Sequence, residues 1–394
     1  MKKREIIIIA YSITNVSSMS GGDKNFIENA RWWLKWGKEI IVVTTPEGKM
    51  MCQNSKLKTK FILLPTIDVN QFGVLVTYLY RMIYGSFCLR KVIKNKAILY
   101  SSSHLLTDIL PPLLVKLKYP QSFWAVSLNL LSPHPFKGYE KAYIPGYKIP
   151  RPNDIANFLG QKISFLLIKK YANKIIPVNG HIKNYLLDKG FPQKRVITIG
   201  RGMDLEEIKK IPEPRKRNYE GVFLGRFHPQ KGLFDLIEIW QLVTKVIPEA
   251  KLAIIGSGPK KITQKFKQWV EEKGLEKNIE LLGFQEGEEK IKILKQSKVF
   301  LFPSTYESWG QVAGEAMAAG LPVVAYNLPH YQTIFGKAML KTEIGDKDQF
   351  AAYVLKLLGN KEFWRQTKEQ GIKQIGRYDR KAVARKLLDT LDEV

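Results

Sequence analysis

Short apolar runs alternate with amphipathic segments along this chain, and the alternation occurs twice. EIIIIAYS (residues 5–12) reads as a buried strand, and Gly21-Gly22 then opens a segment with Phe26, Ala30, Trp33 and Leu34 at helical spacing. Gly37 stops that helix and EIIVVTT follows as a second strand. From residue 220 the order repeats: strand GVFLG, loop RFHPQKG, helix LFDLIEIWQLVTKV, strand KLAIIG, then strands IELLGF, KVFLFPS and LPVVAYN. Strands alternating with helices require parallel sheets covered on both faces. At 394 residues the chain also exceeds what one hydrophobic core usually serves. The expectation is an α/β protein of two doubly wound, Rossmann-like domains facing a cleft. Residues 1–200 form the first and 201–378 the second, with a hinge in IGRGMDLEEIKKIPEPRKRN. The pattern alone lets the last helix, about 379–394, pack on either domain.

The N-terminal MKKREIIIIAYSI imitates a signal peptide, but no small-residue cleavage site follows, so it reads as a first strand. The two cysteines, Cys52 and Cys88, form no CxxC, which points to a reducing compartment. The five histidines (His104, His134, His181, His228, His330) lack ligand spacing, and no metal or other cofactor is expected. No uncharged apolar run approaches the roughly 20 residues needed to cross a bilayer. The expected location is the cytoplasm or the inner face of the cell membrane.

Charge is the unusual bulk property. The formal net charge is +27; residues 1–200 carry 30 Lys+Arg against 10 Asp+Glu, a net of +20, which leaves +7 for the remainder. Such a field attracts nucleic acid, an anionic membrane or a phosphorylated substrate. VLVTYLYRMIYGSFCLRKVIKNK mixes apolar residues with Arg81, Arg90, Lys91, Lys94 and Lys96, as an interfacial helix would, and LPPLLVKLK is a second such run. The same spacing also suits a core-facing helix with a solvated basic face. Nucleic acid is disfavoured as a partner, because the basic residues are scattered and there is no recognition motif.

The chemistry-bearing residues lie in the second half. ESWGQVAGEAMAAG (307–320) sets Glu307 in a loop and Glu315 eight positions on, in a helix expected to begin near Trp309. Unpaired amides at its start, around Trp309, Gly310 and Gln311, suit a phosphate. Small residues at Gly310, Ala313 and Gly314 leave room for a ligand, and carboxylates there can accept from the paired hydroxyls of sugars. Either acid alone reads more simply as a helix-start charge or a surface residue. In the loop GRFHPQKG, Arg226 and Lys231 sit five residues apart, where cations reach a diphosphate. Gly256 and Gly258, in IIGSGP, give room for a ligand or make a tight turn.

GRFHPQKG, IIGSGP, ELLGF and above all ESWGQVAGEAMAAGLPVVA resemble the blocks of the family 4 retaining glycosyltransferases, whose fold is GT-B and whose signature is E-x7-E. The likeness extends over nearly the whole chain. It implies a metal-independent hexosyltransferase acting on a UDP- or GDP-linked sugar. Arg226 and Lys231 would neutralise the diphosphate, Glu307 hold the donor sugar, Glu315 hold the ribose, and the backbone near Phe284 border the base. Gly21 and Gly22 match the family's N-terminal loop, and the last helix would cross back to the first domain. The family's usual strand-end histidine falls at Asn129, which can orient a hydroxyl but cannot take a proton; His134 and His104 are nearby alternatives. Arg201 stands where the family has Asn. In this fold the first domain takes the acceptor, and its net charge of +20 leads to the expectation of an anionic membrane surface and a lipid-linked or cell-envelope glycan precursor as acceptor, in polysaccharide biosynthesis. A nucleotide-sugar epimerase or a sugar phosphorylase of the same fold is the competing enzyme reading, and a basic nucleic-acid-binding protein the non-enzyme one.

Overall fold

A computed structural model describes residues 4–13, 16, 19–65, 69–93, 97–136 and 152–393. They fall into two compact units, one containing the described residues up to 202 together with 380–393, the other Met203–Asp379.

In the first unit the chain alternates as the sequence pattern requires. β1 (Ile6–Ala10), α1 (Gly21–Lys35), β2 (Ile40–Thr44), α2 (Pro46–Asn54) and β3 (Lys60–Leu63) are followed by α3 (Val69–Arg90), β4 (Ile98–Ser101), α4 (Leu106–Lys118) and β5 (Phe123–Leu128). α5 (Pro152–Tyr171), β6 (Lys174–Pro177) and α6 (Gly180–Asp188) complete it. All strand pairs are parallel, in the order β3-β2-β1-β4-β5-β6. The run that imitates a signal peptide is thus the central strand, with Ile6 facing Ile40 on one side and Ile98 on the other. Every β1 residue is buried, which is why its sequence is continuously apolar rather than alternating.

The second unit comprises α7 (Leu205–Lys210), β7 (Tyr219–Leu224), α8 (Leu233–Val246), β8 (Leu252–Ile255), α9 (Lys260–Glu272), β9 (Ile279–Gly283), α10 (Gly287–Lys295) and β10 (Ser297–Phe302). Next come α11 (Gln311–Ala318), β11 (Val323–Tyr326), α12 (Tyr331–Ile334), β12 (Met339–Thr342), α13 (Lys347–Gly359) and α14 (Lys361–Gly376). Its sheet is also parallel, in the order β12-β11-β10-β7-β8-β9. Trp240, Phe223, Phe266 and Val354 lie at its core.

The final helix, α15 (Arg380–Asp392), packs on α1 in the first unit. Val383, Leu387, Leu388 and Leu391 join Phe26, Ala30 and Trp33 in one cluster. The Trp33 indole donates to the Ala384 carbonyl at 2.9 Å, and Arg385 lies 3.9 Å above the Trp36 ring. Trp33 is fully buried, so Trp33→Ala should lower stability by about 3–5 kcal/mol, read as a shift in the urea midpoint of the first unit's transition. An unchanged midpoint would contradict this packing.

Candidate functional site at the strand ends

In the second unit the chain steps outward from β7 to β8 and β9, then returns to place β10 on the other side of β7. Loops leaving β7 and β10 therefore diverge, and a doubly wound sheet binds its ligand in the crevice that opens there. Specific contacts tie the two loops together. Gly232 ends the β7 loop in the left-handed region at φ +66°, where a Cβ would run into the Pro303 carbonyl just past β10. One residue pair further out, the Thr305 amide donates to the Gln230 carbonyl at 2.9 Å. The consequence is an ion pair between Lys231 and Glu307 Oε1, each side chain only 13% exposed. Arg226, at the mouth of the same loop, is exposed and forms no hydrogen bond or ion pair with another described residue. The sequence segments that named Arg226, Lys231 and Glu307 are thus brought to one place.

α11 begins two residues later than its sequence suggests. Gly310 adopts φ +86° as its N-cap, so the amides without intrahelical acceptors are those of residues 311–313, with Gly314 the first to bond back, to the Gly310 carbonyl. Trp309 is core: its ring meets Phe335 and Tyr378 edge-on at centroid distances of 5.4 and 5.1 Å. The space expected for a ligand beside Ala313 and Gly314 is also taken, since a Cβ on Gly314 would lie 3.0 Å from Ile375 and Trp309 and 3.2 Å from Met203. Gln311 and Gly310 keep their place at the helix start. Beneath the loop, burial pushes the Tyr331 phenol upward, with Glu307 as the second cause.

Glu315 is nearly buried, and its Oε2 accepts from Lys290 Nζ of α10 at 2.6 Å. Lys290 was not found from sequence. It sits among five other charged residues between 286 and 295, and only the tertiary fold singles it out from them.

Gly256 and Gly258 serve the chain itself. Gly256, at φ +146°, would place a Cβ against the Gly225 carbonyl, and Gly258 would strike Phe227; the Gly256 amide donates to the Gly283 carbonyl at 2.7 Å. The tight-turn alternative therefore describes both. Phe284, next after Gly283, is 68% exposed at the end of β9.

The first unit has its own switch point, between β1 and β4. Buried Asp108 at the start of α4 closes it, accepting from the Tyr11 amide (2.7 Å), the Ser12 amide (3.0 Å), Ser12 Oγ (2.9 Å) and Ser103 Oγ (2.5 Å). Burial raises this carboxyl to about 6. Beside it, Gly21 and Gly22 open α1 behind a capping box of Ser20 and Asp23. A Cβ on Gly22 would lie 2.7 Å from Asn129 Nδ2. That amide donates to the Ser102 carbonyl at 2.9 Å, while Asn129 Oδ1 accepts from Ser127 Oγ and from Arg201 Nη2, both at 3.2 Å. Arg201 also donates to the Gly21 carbonyl, and burial draws it down to about 10. Its departure from the family pattern is thus a buried cation that fixes Gly21 and Asn129. His104 is buried, with Nε2 2.7 Å from Gln161 Nε2, and burial lowers it to about 4; His134 is exposed against Phe158. Arg81 departs from the expected interfacial role: it is buried and donates to the Tyr11 and Ile13 carbonyls at 2.9 and 3.1 Å. Lys94 and Lys96 lie outside the described residues.

Comparison with known proteins agrees with this architecture. Residues 204–374 match the family model for glycosyl transferases group 1. An uncharacterized glycosyltransferase of Methanocaldococcus jannaschii is 30% identical over 192 residues, 44% of this chain and 46% of that protein. The phosphatidyl-myo-inositol mannosyltransferase of Mycobacterium leprae is 27% identical over 206 residues, covering 50% of this chain and 54% of that one. The chain spans about half the length of the curated relatives it matches. Among solved structures, Anabaena HepE in complex with UDP superposes with a TM-score of 0.73 over 99% of this chain and 100% of that one, at 13% identity. The fold is GT-B, two Rossmann-like units in one chain.

His104 gives a test with a definite sign. Its folded value of about 4 lies below the ordinary 6.5, so its contribution to stability is complete above pH 6.5 and is lost as pH falls toward 4. Asp108, raised to about 6, has the opposite slope between about 4 and 6. Comparing the native chain with His104→Gln isolates the first effect. The stability advantage of the native chain should shrink by about 2 kcal/mol between pH 7.5 and 5. A constant difference would mean that His104 is protonated in its buried position.

Proposed function

We propose that the chain is a retaining glycosyltransferase that moves a hexosyl unit from a UDP- or GDP-linked sugar to a lipid-linked or envelope-glycan acceptor. The observation that carries this reading is the pairing of Lys231 with Glu307 at the switch point, next to the first-turn amides of α11. A diphosphate entering there would exchange Glu307 for phosphate oxygens on Lys231, and exposed Arg226 would close on it as a planar fork. Glu307, released, then accepts from hydroxyls of the donor sugar. Glu315, paired with Lys290, would accept from the ribose hydroxyls. The backbone at Phe284 borders the base.

Glycosyl transfer passes through an oxocarbenium-like state while negative charge collects on the departing diphosphate. Lys231, Arg226 and the amides of residues 311–313 would donate to that charge, and one such donor is worth on the order of 2.7–4 kcal/mol. These groups supply the charge that a metal would otherwise provide, so transfer is proposed to be metal-independent. Retention follows if the acceptor hydroxyl attacks on the leaving-group face, where the diphosphate oxygens can take its proton. Acceptor recognition is assigned to the basic first unit.

Two measurements check this. UDP- or GDP-linked sugars should raise the melting temperature by mass action, and the shift should vanish in Lys231→Ala. Arg226→Ala, Lys231→Ala and Glu307→Ala should each reduce turnover by about 10²–10³ while the variants still fold and melt cooperatively. Near-native turnover in all three would overturn the assignment.

A further inference from the structure

Right-handed crossovers put α3, α4 and α5 on the face of the first sheet opposite α1 and α2, with α4 packed against both neighbours. Their outward sides are apolar. On α3, the polar Thr77, Arg81 and Ser86 turn inward, while Leu79, Ile83 and Phe87 are each more than half exposed, at 57, 56 and 55%. Leu117 of α4 and Leu159 and Leu166 of α5 continue the surface, Leu166 at 71%. Isolated exposed apolar residues are ordinary on a protein surface, but a band at helical spacing across three adjacent helices marks an interaction site.

The charges on these helices select the partner. α3 contains no acid, the one acid of α4 is buried Asp108, and α5 carries a single aspartate in its first turn. Exposed Arg90, Lys118, Lys162 and Lys170 instead flank the apolar band. This side of the protein belongs to the half with net charge +20. A second copy of the chain would set one cationic rim against another, whereas apolar side chains bordered by cations match the acyl boundary and phosphates of an anionic bilayer.

We propose that the outer face of α3, α4 and α5 docks on an anionic lipid bilayer, seating Leu79, Ile83, Phe87, Leu117 and Leu166 below the headgroups and the flanking lysines and arginine among the phosphates. Among the described residues no helix is long and apolar enough to cross a membrane, so the contact lies along the surface. The proposal is independent of the transfer chemistry.

The test is co-sedimentation of the full chain with vesicles of phosphatidylglycerol and phosphatidylcholine, against vesicles of phosphatidylcholine alone, at low and high salt. Binding should require the anionic lipid and weaken with salt. The Ile83→Glu/Phe87→Glu pair and Leu166→Glu, on different helices, should each lower the partition coefficient about tenfold or more without changing the melting temperature. Val246→Glu, an exposed position in the second unit, should leave it unchanged. Absence of binding to anionic vesicles at low salt, or full binding by both variants, overturns the proposal. So does a concentration-dependent dimer in sedimentation that the same substitutions dissolve, because a second copy would then cover the face.

Discussion

The candidate site depends on the close contact between the loop after β7 and the loop after β10. Gly232 rests against the Pro303 carbonyl, and Thr305 is hydrogen-bonded to Gln230. With those backbones joined, Lys231 and Glu307 have little choice but to meet. A partly buried ammonium facing a carboxylate is costly to separate in water-poor surroundings unless another anion replaces the partner. Lys231 and Glu307 satisfy each other; a diphosphate is the kind of anion that could exchange with the carboxylate. Lys290 and Glu315 repeat the arrangement on the neighbouring helices.

The first unit solves the same geometric problem with different chemistry. At its switch point a single buried carboxylate, Asp108, gathers the ends of β1 and β4 by accepting from amides and hydroxyls. Arg201 then ties the start of α1 to Asn129. These networks tie loop backbone to buried polar side chains, and their role is to hold the loops still. The outward faces of α3, α4 and α5 instead carry exposed apolar residues flanked by cations.

Much of this was legible in the sequence because it is local. Apolar runs such as EIIIIA and KVFLF, interrupted by amphipathic segments and glycine stops, encode the parallel sheets directly. E-x7-E and the loop GRFHPQKG named residues that the fold brings together, Lys231 and Glu307, since each element places its own residues at a strand end. What escaped reading is what depends on distant partners. The start of α11 moved because Gly310 takes a left-handed conformation against Tyr331 and Phe335. Arg81 looked like a surface cation until carbonyls of the β1 loop claimed it. Lys290 could be distinguished from its charged neighbours only once α10 lay beside Glu315. Gly256 and Gly258 fitted two explanations until the crossing of the β7 and β8 loops filled their space.

A structure of the chain with UDP or GDP bound would test the central claim most directly. The account predicts the diphosphate against Lys231, Arg226 and the amides of residues 311–313, with the Lys231–Glu307 pair broken. A nucleotide bound elsewhere while that pair stays intact would contradict it.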